Sequence, residues 1–359
     1  MLTVLNHSES QHEEVDRFAA APHPREMLSL IGHETAEREL LDSFRAGRLH
    51  HAWLIGGEEG IGKATLAYRM ARFVLAHPDP GSMEVMLATD LSVPADHPVA
   101  AQIAAGAHPD LAVIRRAWDS QRKAVPTEIR VDDVRKGLDI FTKTAGSGGY
   151  RVAIVDACDD LNASGANALL KTLEEPPARS LWLLIAHQPR RLLPTIRSRC
   201  RSLSLRPLEA ETVARITRGL PDFAEREPNL HMRAAALAEG SVRNALTLLD
   251  PKSLAFHDSL DSLMDNLPAL DADAVDRLAE QMAGRAGEAS FRQFCDRVRH
   301  WLSGELHRRA PEPQALQPLA EVWERLNRQQ IEAEVYNLDR RPMVIGVMQG
   351  LSSLFPLRS

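Results

Sequence analysis

Gly57-Glu58-Glu59-Gly60-Ile61-Gly62-Lys63-Ala64-Thr65 is the stretch whose reading decides the fold. It follows the apolar run Ala52-Trp53-Leu54-Ile55 and opens a segment with Leu66, Met70, Phe73 and Val74 at helical spacing. A glycine-rich loop between a strand and a helix presents backbone N–H groups and a helix N-terminus to a phosphate chain, and a lysine after the last glycine reaches the outer phosphates. The plainer alternative is a tight strand-to-helix turn with no ligand. Three glycines, a lysine at the right offset and a preceding strand favour the phosphate loop, with Gly57, Gly60, Gly62, Lys63 and Thr65 as candidate nucleotide-binding residues. One position departs from an active nucleotidase. The residue after the lysine should carry a hydroxyl for Mg²⁺, and here it is Ala64. Thr65 follows, about 100° further round the helix.

Outward from the loop, the next informative segment is Val152-Ala153-Ile154-Val155-Asp156. A strand ending in an acid is the second element of a phosphate-transfer site, and Asp156 fits the metal-holding role. Ala157 stands where a glutamate would orient the attacking water, and an alanine can neither polarise nor position water. Asp159 and Asp160 read as N-caps or first-turn acids of the following helix. Two losses at two catalytic positions argue against an active enzyme.

The remaining chain fits around these segments. Residues 1–27 mix His, Glu, Ser and Pro without apolar periodicity and read as a loosely ordered or lightly docked leader. Ala36, Leu40, Leu41 and Phe44 make a short amphipathic helix from Glu34 to near Gly47. Residues 77–109 are Pro- and His-rich and read as a surface insertion. Leu111 to Ile114 forms a strand and Val131 to Phe141 a helix. Gly146-Ser147-Gly148-Gly149 forms a turn. A helix carrying Ala163, Ala166, Leu169, Leu170 and Leu173 stops at Pro176-Pro177, before strands at Leu181–Ala186 and Leu203–Leu205. Near-continuous apolar strands alternating with amphipathic helices specify a parallel sheet covered on both faces. Residues 28–207 are therefore an α/β nucleotide-fold domain. Strand signals end after Pro207. Short helices occupy 208–251, and 252–359 is all-helical, with stripes such as Phe291, Phe294, Cys295, Val298, Trp301 and Leu302.

Composition limits the function. Hydrophobic content of 44% and charged content of 26% are those of an ordinary soluble protein. A net charge of −6 disfavours nucleic-acid affinity driven by overall positive charge, leaving protein partners as the first expectation. The three cysteines, Cys158, Cys200 and Cys295, read as reduced thiols of a cytoplasmic protein. There is no basic-then-apolar export signal at the N-terminus.

Two arginines remain. Arg199, in Ser198-Arg199-Cys200, sits between a helix and the last strand. Alone, such an arginine is a solvated or paired surface group, but in a nucleotide fold it can be offered to the γ-phosphate of a neighbouring subunit, an effect reaching about 10³–10⁵ in rate. Arg243, in Gly240-Ser241-Val242-Arg243, begins a helix and either faces a phosphate or pairs at a domain interface. Spacing alone does not choose between them.

Together these segments resemble the AAA+ clamp-loader family, nearest its bacterial delta-prime branch. The resemblance rests on Gly57 to Thr65, Val152 to Asp160, the run Asn167-Ala168-Leu169-Leu170-Lys171-Thr172-Leu173-Glu174-Glu175-Pro176-Pro177, the segment Leu193 to Cys200, and Gly240 to Leu246. It covers residues 28 to 250 well and the C-terminal helices only in character. It implies a RecA-like AAA+ domain with a small helical lid (208–251) and a helical collar (252–359) that joins five subunits in a ring. That ring places a sliding clamp on primed DNA during replication. By resemblance the chain is a component of the DNA polymerase III holoenzyme without a polymerase site. Its partners are gamma/tau motor subunits and a delta subunit, with clamp and primed DNA reached through the complex. Arg199 would act in trans as an arginine finger, flanked by Ser198 and Cys200. The delta-prime branch usually does not hydrolyse ATP, in line with Ala64 and Ala157, so ATP or ADP is expected at most weakly. His187 falls where motor subunits carry a polar sensor, too loosely to assign a role. Many family members carry a four-cysteine zinc module after the first loop helix. Residues 77–109 contain no cysteine, so zinc is not expected. The alternatives are an ATP-hydrolysing motor of the same fold and a stand-alone nucleic-acid-binding module using Arg190, Arg191, Arg197, Arg199, Arg201 and Arg206.

Overall fold

The computed structural model describes residues 17–18, 21–118, 125–142, 149–284, 287–309, 316–336 and 338–355. They fall into two compact units, Met1–Leu249 and Asp250–Ser359. The expected glycine turn at 146–148 lies outside the described residues.

In the first unit, helix α1 (Glu34–Arg45) precedes strand β1 (Ala52–Gly56), and α2 (Lys63–Ala76) starts at the glycine loop. Two short helices follow, α3 (Met83–Leu87) and α4 (Pro98–Ala104), then β2 (Leu111–Arg115) and α5 (Val131–Leu138). Strand β3 (Arg151–Asp156), α6 (Ala163–Glu174), β4 (Ser180–Ala186), α7 (Pro194–Arg197) and β5 (Arg201–Ser204) complete the α/β part. Among the described residues the sheet has five parallel strands in the order β2-β3-β4-β1-β5. The two-residue period of a strand sends alternate side chains to opposite faces. Trp53, Ile55, Val152, Ile154, Leu181 and Leu183 join one core with residues of α1 and α2, while Ala52, Leu54, Ala153, Val155, Trp182 and Leu184 join a second with residues of α5 and α6. That double burial is why these strands read as continuous apolar runs, and it bears out the α/β expectation.

One expectation needs correction. The 77–109 segment is not merely a surface insertion. Val85 on α3, Leu91, Val93, and Ala100 and Ile103 on α4 are buried in the main core with α2. Their helices are too short to show a period in the sequence. Part of the leader is also docked: Ala21, His23 and Glu26 are buried, and the Glu26 carboxylate accepts the His23 N–H at 2.9 Å. Ala21 belongs to the core of the helical lid.

That lid consists of α8 (Ala210–Gly219), α9 (Pro228–Leu237) and α10 (Val242–Leu248), with Val213, Ala214, Leu220, Ala234, Ala235, Ala245 and Leu249 in its own core. The second unit is all-helical: α11 (Pro251–Asp265), α12 (Ala272–Glu280), α13 (Glu288–Arg309), α14 (Leu316–Tyr336) and α15 (Arg341–Ser353). Its core gathers the expected stripe on α13, Phe291, Phe294, Cys295, Val298 and Leu302, with Leu319, Val322 and Leu326 of α14 and Val344, Val347 and Met348 of α15. No helix among the described residues is long and apolar enough to cross a membrane.

Candidate functional site

The glycine loop emerges from the carboxyl end of β1, between β4 and β5, the end at which open parallel sheets bind ligands. Gly62 is the N-cap of α2 with φ +107°, and Gly60 has φ +79°, both in the left-handed region where side chains are strained. Gly60 is closely approached as well. A Cβ there would lie 2.5 Å from Arg243 Cβ and nearer still to Ser241 Oγ. The loop carbonyl of Gly60 accepts the Val242 N–H at 3.0 Å, which fixes the first turn of the lid helix α10 against the loop. The His33 ring caps the other side through the Ile61 carbonyl at 2.6 Å.

Lys63 is buried, and its ammonium donates to the Gly57 carbonyl at 2.7 Å and to the Glu58 carbonyl. Burial pushes its pKa down to about 8, opposed by the negative charges of Asp156 and Glu59. A cleft of about 260 Å³ opens over the loop. Lys63, Ala64, Thr65, Asp156, Ala157, His187 and Arg243 line it, and the leader and lid add Pro22, Met27, Ile216, Leu220 and Leu246. Backbone donors at a helix N-terminus, a buried cation and an apolar lining fit a phosphate chain attached to an apolar ring system. They do not fit a Mg²⁺ held for hydrolysis: Ala64 has no hydroxyl and Ala157 no carboxylate, and of the other acids lining the cleft with Asp156, Glu59 is paired with Arg243 and Asp160 with Arg116. Arg243 lines this cleft and also pairs with Glu59 at 2.9 Å. No group of three or more His, Cys, Asp or Glu residues arranged to hold a metal occurs among the described residues.

The acids after Asp156 lie, as expected of first-turn acids, in the first turn of a short 3₁₀ helix, Cys158–Asp160, and neither caps α6. The N-cap of α6 is Asn162, whose side chain accepts the Gly165 N–H at 2.8 Å. Asp159 instead accepts the His187 and Gln188 N–H groups at 2.6 and 2.8 Å, tying down the chain where it leaves β4. Asp160 pairs with Arg116 at 3.0 Å, and burial raises its pKa. His187 is thereby held at the cleft. Its Nδ1 is buried without a hydrogen-bond partner among the described residues, and burial beside Lys63 lowers its pKa.

Arg199 stands apart and is absent from the cleft lining. Its Nη1 donates to the Thr195 carbonyl at 2.9 Å and its Nη2 pairs with Glu174 Oε1 at 2.7 Å. The flanking residues explain its outward position. Cys200 packs against the core that holds Leu192 and Ile196, its thiol pushed up to about 12 by burial and so unreactive. The Ser198 hydroxyl donates to the Thr195 carbonyl at 3.1 Å. The surrounding arginines are partly spent: Arg201 pairs with Glu39 at 2.8 Å and lies over the Trp53 ring at 4.8 Å, and Arg197 donates to the Arg190 carbonyl. Glu59 and Glu174 were not singled out by sequence reasoning. Glu174 did leave a signal, since an acid in the last turn of a helix opposes the helix dipole and calls for a cation nearby.

A family described as DNA polymerase III, delta subunit, matches residues 32–209. DNA polymerase III subunit delta' of Yersinia pestis is 30% identical over 281 residues, covering 71% of this chain and 77% of that protein. Subunit delta' of Pseudomonas aeruginosa is 37% identical over 175 residues, 48% of each chain. Subunit tau of Escherichia coli K12 is 30% identical over 270 residues, 74% of this chain and 39% of that protein. The matches to subunit tau and to the Pseudomonas protein thus span less than half of those relatives.

Proposed function

This chain belongs to the delta' family of DNA polymerase III clamp-loader subunits, and from that premise we propose that it is a non-hydrolysing subunit whose Arg199 completes the ATP site of a neighbouring motor subunit. The observation that carries this reading is the separation of two sites. Lys63 and Asp156 line this chain's own cleft with Ala64 and Ala157 at the two positions where a metal-binding hydroxyl and a water-orienting acid would stand, whereas Arg199 lines no part of it. An arginine outside its own cleft and mounted at a helix end can serve ATP held by another subunit.

The proposed neighbours are gamma/tau motors and a delta subunit, with the sliding clamp and primed DNA reached through the assembled ring in the cytoplasm. The cleft would hold ATP or ADP weakly, without turnover and without zinc. A second reading, an ATP-hydrolysing motor, is favoured by the similarity to subunit tau over 74% of this chain. The two separate on one experiment. The purified chain alone should show no ATPase, and any rate that Lys63→Ala abolishes would establish the motor. In the reconstituted complex, Arg199→Ala should leave assembly intact and lower DNA-stimulated ATPase sharply; an unchanged rate would remove the trans role.

A further inference from the structure

We propose that Glu174 is a positioning residue that holds the Arg199 guanidinium in the orientation it needs towards a neighbour's phosphate. The proposal rests on the trans role of Arg199 given above and adds a residue to that site.

Glu174 ends α6, and Arg199 follows α7. The two helices pack together, with Leu173 beside the carboxylate and Ile196 beside the arginine buried in one core. Donor and acceptor are therefore mounted on two helix ends that share a rigid support. Glu174 Oε1 takes Nη2 at 2.7 Å, and the Thr195 carbonyl takes Nη1 at 2.9 Å. The Thr195 carbonyl engages an N–H of Nη1 and the Glu174 carboxylate stands in ion-pair contact with Nη2, so the guanidinium is held from two sides. Among the described residues no other partner takes the remaining Arg199 N–H groups, which can serve an incoming anion. A long side chain held at both terminal nitrogens has already lost the rotamer freedom that would oppose phosphate binding. At a helix C-terminus a glutamate is electrostatically disfavoured, so its presence there is accounted for by the cation it holds.

The carboxylate also carries a charge that repels phosphate, and this separates orientation from charge. Glu174→Gln keeps an acceptor oxygen and loses the charge; Glu174→Ala loses both. In the reconstituted complex with primed DNA, Glu174→Ala is expected to lower kcat about tenfold with the KM for ATP changed by less than about twofold. Glu174→Gln is expected to stay within about twofold of the wild type. Glu174→Ala combined with Arg199→Ala should be no slower than Arg199→Ala alone, because the acid acts only through the arginine. Glu174→Leu, similar in size but without an acceptor, replaces the alanine variant if thermal unfolding or size-exclusion chromatography shows that one to be unstable or unassembled. If Arg199→Ala slows the complex while Glu174→Ala and Glu174→Leu do not, positioning by Glu174 is wrong and the trans role stands. Equal loss in the Gln and Ala variants, or additive loss in the double variant, also overturns it. If Arg199→Ala itself has no effect, the trans role fails and the proposal with it.

Discussion

The glycine loop and the Ser198-Arg199-Cys200 segment carry comparable chemistry, a cation offered beside a helix, and dispose of it in opposite ways. At the loop the cation is turned inward: Lys63 is buried, its ammonium satisfied by the loop's own Gly57 and Glu58 carbonyls, and α10 is bonded to the Gly60 carbonyl. At the second segment the cation is turned outward. Cys200 and Ile196 anchor the backbone in the core while Arg199 stays partly exposed, braced by Glu174 and Thr195. On the proposed reading, a loop without the groups that handle metal and water serves as a structural part, while a neighbouring surface keeps one group outside this chain's own cleft.

If the loop is structural, perturbing it should change stability. The largest effect follows from Lys63, whose folded pKa of about 8 lies below the ordinary lysine value of 10.5. Between those values the unfolded chain binds more protons than the folded one, so stability rises with pH through this window and the cost of burying the charge is fully present below it. Relative to Lys63→Met, the wild type should gain on the order of 3 kcal/mol between pH 7.5 and 10.5. Urea unfolding at both pH values measures it, and a flat difference would mean that the ammonium is not buried as described. A smaller effect is expected from Gly60→Ala. It places a methyl against Ser241 and Arg243 at a positive φ, and should cost about 2 kcal/mol in thermal unfolding. The smallest belongs to Arg199. Its pairing with Glu174 is half-exposed, so Arg199→Ala should shift stability by less than about 0.5 kcal/mol. A large loss there would make the segment as structural as the loop and erase the contrast.

The sheet was legible in the sequence because each central strand is buried on both faces, and β1, β3 and β4 announce themselves as unbroken apolar runs. The loop was legible because a phosphate-binding turn needs glycine at fixed offsets. The 77–109 segment was not, since Val85 and Ile103 reach the core from helices of five and seven residues, too short for a period to emerge. The partners of Asp159 were hidden for a related reason. Local rules favour an acid as a helix cap, but its partners are the amides of His187 and Gln188, brought to it by the β3–β4 pairing. Glu174 is the same kind of case: its partner Arg199 lies far along the chain, and only the packing of α6 on α7 brings the two together.

The measurement that tests the central claim most directly is the DNA-stimulated ATPase of the complex reconstituted with wild-type motor subunits and either Arg199→Ala or Lys63→Met in this chain. The account predicts a loss of about 10²-fold or more for Arg199→Ala, within the range that such trans arginines reach, and a rate within about twofold of wild type for Lys63→Met. The reverse pattern, a rate that survives without Arg199 and collapses without Lys63, would contradict it.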